Sequence, residues 1–173
     1  MTWINWYGLE FVAAIMIPNI AFAMTHRDGF ENLFRNRTVE VLEQIGRFGC
    51  FFLMVIQPET LCRDDWFTGA TQVYLWLGAA LVLLYCAGWV VFWREDSVRK
   101  ALALSILPSV LFLESGILRC YFPLIAAALL FAPCHILISY KNAAMKREIA
   151  LNGEAPESRS RIGSETDTHN ADR

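Results

Sequence analysis

No lysine or arginine occurs in the first 24 residues. A secretory leader needs a basic start ahead of its apolar run. Ala21-Phe22-Ala23 imitates a cleavage site, but Glu10 interrupts the apolar segment and nothing basic precedes it. The sequence therefore predicts a retained membrane span, not a cleaved signal. Charge is scarce throughout. Asp, Glu, Lys and Arg make up 18% of the chain, where soluble domains carry about 25%. The net charge is −2 and no basic cluster interleaved with aromatics is found, which argues against nucleic acid as a partner. The five cysteines form no CxxC pair, so no zinc or redox motif is present. HExxH, GxSxG and paired-aspartate motifs are also missing. His135 has Cys134 beside it in sequence, but adjacent helix residues point about 100° apart. No catalytic residue, metal ligand or cofactor is expected, and the chain does not read as an enzyme.

What the chain has in quantity is apolar sequence: 55% of its residues are hydrophobic. A membrane helix needs about 20 mostly apolar residues. Five segments qualify, at 6–24, 44–57 (with wet ends extending it), 71–93, 101–118 and 121–140. The predicted fold is all-α, a polytopic helical membrane bundle of five transmembrane helices within residues 1–141.

Basic residues alternate between the connections. Arg27, Arg35, Arg37 and Arg47 flank the first, Arg94, Arg99 and Lys100 the third, and Lys141, Lys146 and Arg147 begin the tail. The N-terminus has none, and the second and fourth connections carry only Arg63 and Arg119. Lys and Arg in short loops stay cytoplasmic. The N-terminus is predicted outside and the C-terminus in the cytoplasm. Trp3, Trp6, Trp66, Phe67, Tyr74 and Tyr121 would then line the outer interface, and Trp89, Trp93 and Tyr140 the inner one.

The first cytoplasmic connection, 25–43, has the pattern of an amphipathic loop. Asp28 to Glu31 resembles a capping box. Phe30, Leu33 and Phe34 would share one face of a short helix in the headgroup layer. An ordinary folded loop is the alternative. The tail, 142–173, is predicted helical at first. From Asn152 it is polar, rich in Ser, Glu and Arg and without a hydrophobic period, which predicts disorder.

Polar residues inside the spans are the candidate site, because a charge at mid-membrane costs about 2.5–3.5 kcal/mol on insertion scales. Asn19, Arg47 and His135 fall at a similar inner depth. Together they would bind an anion or a polar headgroup, with Arg47 as the fixed charge. Alternatively, Arg47 snorkels to the surface and pairs with Glu43, four residues earlier. Glu10 and Glu114 fall at a similar outer depth and would form a proton or cation site if adjacent. Otherwise both are wet, with Glu114 paired to Arg119. Gly46, Gly49 and Cys50 give the second helix a small face for close approach of the first or fifth, where Ala128 and Ala132 offer a match. Cys62 and Cys120 both lie in outer segments, where a disulfide would survive in an oxidising compartment.

The stretch PNIAFAMTHRDGFENLFRNRTVEVLEQIGRFGC, residues 18–50, resembles a group of uncharacterised small bacterial multi-pass membrane proteins. The matching words are Pro-Asn, then Asp-Gly-Phe-Glu-Asn, then Glu-Gln-Ile-Gly-Arg-aromatic-Gly-Cys. The resemblance implies a bacterial polytopic protein and carries no activity with it; the expected location is the inner (plasma) membrane. Two functions fit these residues. One is small-solute or ion transport through a polar intramembrane site lined by Glu10, Asn19, Arg47, Glu114 and His135. The other is a membrane scaffold or assembly subunit of a larger complex. The expected partners are the lipid bilayer and a second copy or another protein. The small-molecule ligand is not legible.

Overall fold

The computed structural model describes residues 3–25, 32–58, 61, 67–95 and 97–168, with side chains as far as 152. It is all-helical: α1 (Trp6–Thr25), α2 (Arg37–Val55), α3 (Ala70–Val91), α4 (Val98–Leu118) and α5 (Phe122–Thr168). Four of these, α1, α3, α4 and the Phe122–Asn152 part of α5, are long and apolar enough to cross a membrane. The chain has the character of a multi-pass membrane protein.

The helices form a closed ring. α1 packs on α2 and α3, α2 packs on α5, α5 on α4 and α4 on α3, while α2 also touches α4 across the ring. The interior is filled with aromatic and aliphatic side chains. Phe112 stands edge-on to Phe51 and Phe131, with ring centroids 5.7 and 5.6 Å away. Cys50, Met54, Leu111 and Leu124 are fully buried around them. Outward faces are apolar as well. Trp76 and Val90 are among the most exposed side chains, as membrane-facing helices require.

The starts of α2 and α4 follow from capping. Asn36 accepts from the Val39 amide and Ser97 from the Lys100 amide, each satisfying an orphan donor of a first turn. α2 therefore begins at Arg37, seven residues ahead of the expected apolar start at 44, because a capped polar turn extends it. Pro18 inside α1 cannot donate to Ala14. The freed Ala14 carbonyl lies 3.9 Å from Cys86 Sγ of α3. α4 ends in a Schellman turn, with Tyr121 N donating to Gly116 O (2.8 Å) and Cys120 N to Ile117 O (3.0 Å). Cys120 takes the left-handed position there, φ 48°, that glycine usually holds.

Residues 32–36 have no regular structure, and the expected capping box at Asp28–Glu31 lies outside the described residues. The Phe34 amide donates to Asn142 Oδ1 (2.8 Å), and Asn142 Nδ2 donates to Asn32 Oδ1 (3.0 Å), which ties this connection to α5. α5 runs on past Asn152 as far as Thr168.

Candidate functional site

The ends of α1 and α3 and the starts of α2 and α4 meet at one end of the ring, beside the His135–Asn142 stretch of α5. Arg35, Arg37, Arg94, Arg99, Lys100 and Lys141 belong to this basic end. Its polar centre is built on α2. Gly46 is buried against α5, where a Cβ would stand 2.8 Å from Phe131 Cα. The absent side chain lets the two backbones approach. One turn back on α2 is Glu43, and one turn on along α5 is His135.

Glu43 is 2% exposed and carries the cluster. Its Oε1 accepts from Arg47 through Nε (3.0 Å) and through Nη2. The same oxygen lies 2.9 Å from His135 Nδ1. An ionised carboxylate only accepts, so His135 carries its hydrogen on Nδ1 and leaves Nε2 open to take another. The imidazole stacks on Phe131, centroids 4.6 Å apart, which fixes its plane. Side-chain exposure is 36% for Arg47 and 21% for His135, so the buried carboxylate has two partners that reach outward.

Of the expected inner layer, Arg47 and His135 come together, through Glu43. Asn19 bonds elsewhere. Its Nδ2 donates to Tyr85 Oη of α3 (2.7 Å) and to Ile15 O (2.8 Å). Asn19 is therefore tied to α3 and is not part of the ion pair. Lys100 closes the α3–α4 side of the same end, with Nζ 4.4 Å from the Phe22 ring centre and 5.6 Å from that of Trp89.

The outer pair does not assemble. Glu10 is exposed on α1. Gly8, Ile15 and Phe22 define the buried stripe of that helix, and Glu10 is two positions, or roughly 200°, from Gly8. Glu114 is buried at 8% exposure, and its hydrogen-bond contact among the described residues is Ser115 Oγ, 3.4 Å from Oε2. Arg119, its expected partner, donates to Thr71 Oγ1 instead (3.2 Å). Beside Glu114 is a polar chain with no sequence signal. Asn5 Nδ2 donates to Gln57 Oε1 (3.2 Å) and to Tyr74 Oη (3.1 Å). Asn5 is held there by backbone bonds between residues 3–5 and 55–57, Asn5 N to Val55 O (2.8 Å) and Gln57 N to Trp3 O (2.9 Å). Cys120 is buried at this end. Its expected disulfide partner, Cys62, lies outside the described residues.

Glu43, Tyr74, Tyr85, Lys100 and Asn5 are absent from the sequence-derived site. Glu43 was legible as the i−4 partner of Arg47. The tyrosines read only as aromatic membrane residues. No group of three or more His, Cys, Asp or Glu able to hold a metal occurs among the described residues. No family model matches the chain, and no curated protein or solved structure is significantly similar to it.

Proposed function

We propose that this chain is a five-span protein of a bacterial inner membrane, N-terminus outside and C-terminus cytoplasmic, that binds a small anionic solute at its cytoplasmic end together with a proton. The role is transport-related and not catalytic. The observation that carries it is the convergence of Arg47 and His135 on one oxygen of Glu43. With His135 neutral, the charges of Arg47 and Glu43 cancel. A proton on His135 Nε2 leaves the cluster with one net positive charge, beside the Tyr85 and Asn19 polar groups. Anion affinity then rises as pH falls.

The fifth span is α2, which is inverted relative to a soluble amphipathic helix. Glu43 is buried, whereas Ile45, Phe48 and Phe52 are 58, 65 and 62% exposed. Apolar outside and polar inside suits a helix that crosses lipid. Native mass spectrometry in mild detergent, beside Arg47→Ala, tests the binding. A retained anionic solute or lipid that Arg47→Ala loses supports the reading. A bare protein, unchanged by the substitution, removes it.

A membrane assembly subunit is the second reading. It is favoured by the Phe51–Phe112–Phe131 packing that fills the ring and by an open apolar groove along α3, lined by Phe67, Val73, Trp76 and Leu77. A second copy or a foreign subunit in the same spectra would favour it.

A further inference from the structure

We propose that Glu114, at the end of the bundle opposite Glu43, is a second and independent proton-binding site, present in the folded protein as a carboxylic acid. The argument is a count of hydrogens. Glu114 is more than nine-tenths buried, and among the described residues its Oε1 has no hydrogen-bond partner. The Ser115 hydroxyl has one hydrogen, and its short bond goes to Leu111 O at 2.7 Å. The longer contact, 3.4 Å from Ser115 Oγ to Glu114 Oε2, then lacks a hydrogen unless Glu114 supplies it. Tyr74 Oη accepts from Asn5 Nδ2. A carboxylate here would have two buried oxygens with no committed donor, a costly arrangement. A carboxylic acid gives Oε2–H to Ser115, Ser115 gives its hydrogen to Leu111, and only a neutral carbonyl oxygen is left over.

Among the described residues, no other ionisable group at this end hydrogen-bonds to Glu114. Tyr74 comes from α3 and Tyr121 from the start of α5, where its hydroxyl donates to Ile56 O (3.3 Å). Arg119, at the end of α4, donates to Thr71. Cys120 is the buried thiol of the turn, Glu10 is exposed on α1, and α2 brings no ionisable side chain to this end among the described residues. Gln57 Nε2, at the far end of the Asn5–Tyr74 chain, is a buried donor with no acceptor among the described residues.

Infrared spectroscopy of the purified protein at neutral pH tests this without reference to the Glu43 cluster. A protonated carboxyl gives its own C=O band, and deuterium oxide shifts it. The expected result is a buried band in the wild type that Glu114→Gln removes and Glu10→Gln keeps. Glu114→Asp, the arm to use if the amide variant fails to fold, should move the band. Identical carboxylic-acid absorption in the wild type and Glu114→Gln, or a band unmoved in Glu114→Asp, would overturn the proposal.

Discussion

Gly46 of α2 lies directly on the backbone of Phe131 of α5: a Cβ at that glycine would be 2.8 Å from Phe131 Cα and 2.9 Å from its N. This contact sets the whole polar cluster. Glu43 is three residues before Gly46 and His135 four after Phe131, so their separation depends on how closely the two helices approach. The neighbour is main chain, which cannot rotate away.

Gly46→Ala should therefore force the helices apart. Overpacking of this kind costs about 1–3 kcal/mol. The thermal midpoint in detergent should fall, and the His135–Glu43 contact should loosen with it. Gly49→Ala is the control, because its Cβ would meet only Ala127 Cβ at an ordinary 3.5 Å. A variant pair with equal midpoints would contradict the close-approach account.

Arg47 and His135 share one acceptor, so their removal should not add. Arg47→Ala leaves Glu43 buried with His135 alone, and His135→Ala leaves it with Arg47 alone. Each should cost about 1–2 kcal/mol, moderated for Arg47 by its partial exposure. The double variant strands the carboxylate and should exceed the sum by about 1 kcal/mol or more. Chemical unfolding of the four proteins measures this coupling. A coupling near zero would mean that the two contacts are independent.

The proposed five-span arrangement places two exposed positions on opposite sides of the membrane. Arg35 precedes α2 and Thr68 precedes α3. Cysteines placed there should react with an impermeant thiol reagent from opposite sides of the membrane. Thr68→Cys should be labelled in intact cells and Arg35→Cys only after permeabilisation. Labelling of both from the same side would show that α2 does not cross.

Much of the architecture was legible because long apolar runs declare themselves. The expected segments at 6–24, 71–93 and 101–118 differ from α1, α3 and α4 by at most three residues at either end. α2 was cut short because Arg37, Glu40 and Glu43 hide its first turns from a hydropathy reading, although Asn36 marks the true start. Counting residues from a helix end locates a side chain along the membrane normal and says nothing about the direction it faces. Asn19, Arg47 and His135 do share one end for that reason. Depth alone also matched Glu10 with Glu114, yet Glu10 is on the outer surface of α1. Tyr74, Tyr85 and Asn5 were missed because their partners lie more than 50 residues away in sequence.

Anion binding as a function of pH tests the central claim most directly. Calorimetric titration of the purified protein with inorganic sulfate is carried out at a mildly acidic and a mildly alkaline pH. His135→Gln is titrated alongside. Protonation of His135 adds a positive charge to a cluster that is otherwise neutral. The wild type should bind sulfate, whose charge is fixed over this range, at least roughly tenfold more tightly at the lower pH, equivalent to about 1.4 kcal/mol. The variant should show no such gain. Equal affinity at both pH values, or the same pH dependence in His135→Gln, would contradict a proton-linked anion site at Glu43, Arg47 and His135.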